Sequence, residues 1–254
     1  MSFTYLLLLC CIVVSFSSCQ QSILFIGNSF TYYNNLPDMF AKLTEDSFVQ
    51  KSLTVGGQSL CGHAQDHKVK ELLTKKWDYV VLQDHSLGAL SKVNNGTLCR
   101  NFTINCFEKF YIPILENSGT KNVILYQTWG YRYGLKGQFD NYQNMQKDII
   151  TGYEEYQKVW RAKTKLNVHI APAGQIRQVI HSKIKEPLKK SSLFYRLYVE
   201  DNFHPTPIGT YISACSIFLR TMMKSPYPSK FVPTNVTLLE AEYIQKIAGT
   251  FLNK

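Results

Sequence analysis

The sequence predicts a three-layer α/β/α sandwich with a mostly parallel central sheet. Three observations carry that prediction. Short apolar runs at residues 22–27, 48–55, 77–82, 122–127 and 166–171 are rich in β-branched and aromatic residues and stop at turn-forming positions. Segments of helical periodicity separate these runs, and regular alternation of strand and helix is the pattern that covers both faces of a parallel sheet. The third run, Trp77-Asp78-Tyr79-Val80-Val81-Leu82, is nearly continuous in apolar character, as a strand buried on both faces should be.

Residues 1–19 stand apart from the fold. Residues 5–14 form a compact apolar segment, and small residues at 17 and 19 suit cleavage after Cys19, so the segment reads as a secretory signal peptide. It falls short of the ~20 apolar residues that a spanning helix needs. The remainder, 20–254, is expected to form one domain, because no internal repeat, Gly/Ser linker or long Pro-rich stretch divides it. The first strand ends at Gly27, and Ser29 follows at the tip of a tight turn. Leu36, Met39, Phe40 and Leu43 then recur at helical spacing, with Pro37 suited to a first turn. The second strand ends in Gly56-Gly57, a pair that signals positive φ or close backbone approach. The third ends in Gln83-Asp84-His85-Ser86 and the fourth in Thr128-Trp129-Gly130-Tyr131. Helices are expected at 64–76, 103–118, 139–164 and 175–185, and a last one over 208–223, just after Asp201-Asn202-Phe203-His204-Pro205.

Three N-glycosylation sequons, at Asn95, Asn101 and Asn235, agree with a secreted or secretory-pathway location. Removing the signal leaves Cys61, Cys99, Cys106 and Cys215, which allow three pairings in an oxidising compartment. Cys99 with Cys106 is the favoured pair, closing a short loop that carries Asn101, while Cys215 on an apolar helical face suits a buried thiol equally well. No Cys/His cluster has zinc-ligand spacing, and neither a metal nor another cofactor is expected. The net charge of +10 survives removal of the signal, which contains no charged side chain. The lysines are scattered over separate segments, so the expectation is a solvated basic surface with at most weak binding to anionic surfaces, no nucleic-acid partner and no stable membrane insertion.

In an open α/β sheet the carboxyl ends of the strands border the ligand crevice. The polar groups placed there match the needs of acyl transfer: a nucleophile, a base, a carboxylate that orients the base, and donors for the developing oxyanion. Ser29 supplies the hydroxyl, His204 the base and Asp201 the carboxylate. The Asp-x-x-His spacing in one turn lets the last two face one crevice. The amides of Ser29 and Gly57, with the side chain of Gln83 or of His85, are the candidate oxyanion donors. Asn28, Trp129 and Tyr131 are candidates for lining the substrate cleft, and Asp84 with His85 is a competing dyad.

These blocks resemble those of the SGNH (GDSL-like) hydrolase superfamily. Gly27-Asn28-Ser29-Phe30-Thr31 is similar to its Gly-Asp-Ser nucleophile block with Asn for Asp, Gly56-Gly57 to its oxyanion glycine, and Asp201-Asn202-Phe203-His204-Pro205 to its Asp-x-x-His-Pro block. The resemblance follows block order over the whole mature chain, and with Gly56-Gly57-Gln58-Ser59-Leu60 and the Thr128-Trp129-Gly130 block it points to a largely uncharacterised secreted branch. It implies a flavodoxin-like sheet and a serine esterase acting on small-molecule or carbohydrate acyl or acetyl esters. O-acyl transfer to a sugar hydroxyl and catalytically silent glycan binding are the alternatives. The departure lies in the third block: where the superfamily has Gly-x-Asn-Asp, this chain has Gln83-Asp84-His85-Ser86, with His85 at the Asn position by count and Gln83 the amide donor by chemistry.

Overall fold

The computed structural model describes residues 20–91 and 99–253; residues 1–19 and the sequon at Asn95 lie outside them. Five strands form one sheet: β1 (Gln21–Gly27), β2 (Phe48–Thr54), β3 (Tyr79–Leu82), β4 (Asn122–Tyr126) and β5 (Asn167–Ala171). Their order is β2-β1-β3-β4-β5 and every pairing is parallel. The chain steps from β1 to β2 on one side and then returns past β1 to β3 on the other. That reversal opens a crevice at the carboxyl ends of β1 and β3.

The alternation within β1 divides the core into two. Ile23 and Phe25 face one layer and Leu24 and Ile26 the other, all four fully buried. The first layer contains α1 (Ser29–Tyr32), α2 (Leu36–Leu43), α8 (Ala173–Lys183), α9 (Leu193–Arg196), α10 (Pro207–Thr221) and α11 (Leu238–Gly249). The second contains α3 (Leu60–His63), α4 (His67–Leu73), α5 (Cys99–Cys106), α6 (Ile112–Ser118) and α7 (Tyr142–Lys163). All fourteen residues of α10 from Ile208 to Thr221 are buried, so this stretch is sheathed on every side and presents no face to solvent. At the outer edge of the sheet, Gln157 and Arg220 donate to the carbonyls of Val168 and Ile170, so side chains from α7 and α10 cover part of β5. No described helix is long and apolar enough to cross a membrane.

The strands fall where the sequence places them, within two residues at either end. The expected helix over 64–76 is shorter, His67–Leu73, because Asp66 caps its start by accepting from the Lys68 N–H, and a separate short helix, Leu60–His63, precedes it. The expected helix over 103–118 starts at Cys99 and passes through a π turn, Phe107–Tyr111. Helix α11 was not expected. Its start carries a capping box, Thr237 with Glu240, which is the sequence signal available for it.

The disulfide corrects the expected pairing. Cys106 bonds to Cys61, and Cys99 is a free, half-buried thiol. Cys99 and Cys106 begin and end the same helix, seven residues apart, so their Cα atoms are separated by about 10 Å, beyond the ~7 Å limit for a bridge. Cys215 is a buried thiol, raised in pKa by burial. Asn101 and Asn235 are both exposed.

Candidate active site

Ser29 sits at the first position of α1, immediately beyond the carboxyl end of β1. The turn that presents it requires glycine at 27, because a Cβ there would lie 2.4 Å from Thr31 Oγ1 and 2.6 Å from Gln83 Oε1. Asn28 caps the helix, its side-chain oxygen accepting from the Phe30 N–H at 3.1 Å. Its amide donates to the Gln58 carbonyl at 2.9 Å, which ties the nucleophile turn to the Gly56-Gly57 turn. From the far side, His63 Nε2 lies 2.8 Å from the Gly27 carbonyl. Burial lowers the His63 pKa, so the neutral ring donates through Nε2–H.

His204 brings Ser29 and Asp201 into one hydrogen-bonded line. Its Nε2 lies 2.7 Å from Ser29 Oγ and its Nδ1 2.6 Å from Asp201 Oδ2. The other Asp201 oxygen accepts the N–H groups of Phe203 and His204 at 3.0 and 2.9 Å. Burial pushes the Asp201 pKa up, but these two amides and the imidazole outweigh it and hold the carboxyl below its ordinary value. A carboxyl depressed in the folded state stabilises the fold above its unfolded pKa, and that contribution is lost as pH falls through the depressed value. Ser29 is 8% exposed. Thr206, not His204, caps α10, and the imidazole is left to the crevice.

The loop bearing Asp201 and His204 is held by a residue the sequence reading passed over. Arg132 Nη2 donates to the carbonyls of Tyr195, Tyr198 and Val199 at 3.0, 2.7 and 3.1 Å, and its Nη1 to Asn202 Oδ1 at 2.6 Å. The Arg132 N–H donates to the Asn202 carbonyl at 2.8 Å, fixing a residue whose φ is +73°. No local motif marks this role, since every partner is more than 60 residues away.

Several predicted roles change. Gln83 is fully buried and spends its side chain on the nucleophile turn. Its oxygen accepts from the Asn28 N–H at 2.9 Å and Thr31 Oγ1 at 2.7 Å, and its amide donates to Asn28 Oδ1 at 2.9 Å and to the Asp84 carbonyl. It therefore has no N–H left for an oxyanion. Asp84 does not orient the His85 ring: its Oδ1 accepts the N–H groups of Leu60 and His85, and its Oδ2 the Thr103 hydroxyl. The His85 ring, half-buried, accepts the Leu87 N–H on Nδ1 at 3.2 Å, which puts the proton of the neutral ring on Nε2. Gly57 is exposed with φ +68°, in a left-handed turn with open space around its Cα.

Asn28, 3% exposed, and Trp129, fully buried, support the site from beneath instead of lining it. Trp129 stacks on Phe30 with centroids 4.4 Å apart, and its Nε1 donates to the Phe203 carbonyl at 3.0 Å. It thus braces the residue after Ser29 and the residue before His204 together. Beneath it the fully buried Arg177 guanidinium lies 3.7 Å from the indole and donates to the Gly209 carbonyl, with its pKa lowered by burial. Tyr131 is half-buried, within hydrogen-bond distance of Ser86 Oγ at 2.8 Å. It borders a cavity of about 510 Å³ that Tyr133, Lys136, Phe139 and Asp201 also line.

No family model and no curated protein matches the chain. Solved structures do. A DUF4886 family protein from Bacteroides uniformis superposes with a TM-score of 0.65 at 17% identity, covering 91% of this chain and 93% of that one. A protein named as a GDSL-like lipase from Parabacteroides merdae gives 0.53 at 14% identity, over 81% of this chain and 97% of that one. An acetyl xylan esterase from Geobacillus stearothermophilus gives 0.52 at 12% identity, over 84% and 97%. With an all-parallel sheet in the order 2-1-3-4-5 and matches of this extent, the chain has the SGNH (GDSL-like) hydrolase fold.

Proposed function

We infer that the protein is a secreted serine ester hydrolase acting on acyl or acetyl esters of small molecules or carbohydrates. The observation that carries this reading is the unbroken line Ser29 Oγ, His204, Asp201, with both bonds at 2.7 Å or less. Ser29 Oγ attacks the ester carbonyl as His204 Nε2 takes its proton, and Asp201 holds the resulting imidazolium through Nδ1–H. The oxyanion meets the N–H of Ser29, which heads α1 and has no intrahelical acceptor, the N–H of Gly57 and the Nε2–H of His85. His204 returns the proton to the leaving alkoxide, and water, activated by the same imidazole, releases the acyl group. The likeness in fold to GDSL-like and acetyl xylan esterase structures supports the reaction class.

A fluorophosphonate probe tests the reading on purified protein. Labelling that disappears in Ser29→Ala is the expected result. A well-folded protein that takes no label would reduce the crevice to a binding site for an ester or glycan, and label that survives Ser29→Ala would move the nucleophile elsewhere. Supplying a sugar as acceptor during ester turnover distinguishes release to water from transfer to a hydroxyl.

A further inference from the structure

The imidazole of His204 has a contact beyond Ser29 and Asp201. The ring of Tyr33 lies flat against it, with centroids 4.2 Å apart and planes inclined by 4°. Phe30 meets the same imidazole edge-on at 5.6 Å. The phenol hydroxyl of Tyr33 has no hydrogen-bond partner among the described residues; its contact with the triad is made by the ring face.

The backbone is shaped to keep Tyr33 there. Asn34 and Asn35, the next two residues, both adopt left-handed conformations, φ +54° and +51°. Asn34 Nδ2 donates to the Pro205 carbonyl and to Thr210 Oγ1, each at 2.9 Å. Pro205 directly follows His204 and Thr210 lies on α10, so the turn carrying Tyr33 is fastened to the segment that leads from the histidine into α10. Asparagine tolerates this conformation better than most residues, but two in succession still oppose folding, and they persist because the latch holds them.

Resting on the hydrolase reading above, we propose that Tyr33 is a positioning residue for His204, acting through its π face in two ways. When Ser29 is acylated, its Oγ no longer donates to Nε2, and the imidazole keeps its bond to Asp201 and the rings packed on it, Phe30, Phe203 at 4.3 Å and Tyr33; the parallel Tyr33 ring covers one whole face and limits its swing. When Nε2 has taken the proton from Ser29 Oγ and has not yet passed it to the leaving oxygen, the imidazolium charge faces the electron-rich surface of the phenol, a cation–π contact.

The test uses the full protein, with fluorophosphonate labelling and p-nitrophenyl acetate hydrolysis as readouts. Tyr33→Leu should slow both by about three- to thirty-fold, with the loss in kcat and not in KM, and Tyr33→Phe should recover most of it. Incorporating phenylalanines of increasing fluorination at position 33 withdraws electron density from the ring face at nearly constant shape. Rates that fall stepwise along that series support the proposal, and unchanged melting temperatures show that folding is not the cause. A flat series overturns the cation–π part, and a Tyr33→Leu protein as fast as the unsubstituted one overturns the role of Tyr33 altogether, while labelling at Ser29 leaves the hydrolase reading standing. Absence of label on the unsubstituted protein overturns both.

Discussion

Gln83 and His85 stand two residues apart, and only the His85 side chain keeps an N–H free of protein partners among the described residues. Gln83 is a strut: Asn28 N–H, Thr31 Oγ1 and Asn28 Oδ1 all close on its amide, so the turn bearing Ser29 is moulded around it. Gln83→Ala leaves those buried groups unpaired and should lower stability by about 2–4 kcal/mol in denaturant unfolding. His85→Ala should change stability by less than about 1 kcal/mol but lower kcat about a hundredfold, with partial rescue by His85→Asn. The reverse pattern would return the oxyanion role to Gln83. The sequence made Ser29, Asp201 and His204 legible because each belongs to a short local block with its own chemistry. Gln83 and Trp129 were misjudged because an amide and an aromatic at strand ends look available to a ligand. The partners that consume Gln83 are 52 to 55 residues distant, and the Phe203 carbonyl on Trp129 is 74 away.

At the scale of elements, α3 is the joint between the glycine turn and the second helical layer. Ser59 caps it, Leu60 N–H is held by the buried Asp84, the Leu60 carbonyl accepts the Tyr111 hydroxyl, and Cys61 is bonded to Cys106 on α5. The bridge closes a span of 45 residues. By chain entropy it stabilises the fold by up to about 4 kcal/mol, an upper figure because denatured chains retain structure. A non-reducing peptide map should link residues 61 and 106 and leave Cys99 and Cys215 open to alkylation after denaturation; a 99–106 link would contradict the packing of α5 against α3. The strands could be read in advance because buried parallel strands write near-continuous apolar runs. The disulfide could not, since four cysteines permit three pairings and only the packing of α3 on α5 selects one. Helix α11 escaped notice because its exposed Leu238 and Leu239 blur the apolar face, although its capping box was written in the sequence.

At the scale of the whole molecule, the topology gathers chemistry from chain segments 175 residues apart. The reversal of strand order beside β1 brings Ser29 to the carboxyl end of the sheet over the buried supports Gln83 and Asp84, and the loop before α10 meets it there with Asp201 and His204. Three braces keep the two halves in register: Trp129 beneath Phe30 and Phe203, Arg132 behind the acid loop, and Asn34 latched to Pro205 and Thr210. Of these only Trp129 lies in a block the sequence singled out, because braces are defined by distant partners and leave no local spacing. In the proposed reaction this architecture serves one event, transfer of an acyl group to Ser29. Rapid mixing with an acetyl ester, acid quenching and mass spectrometry of the digested protein measure that event directly. An acetyl group on the peptide carrying Ser29, formed in a burst and absent from Ser29→Ala, is the predicted result. Ester turnover with no acyl group on Ser29, or no turnover of any ester by folded protein, would contradict it.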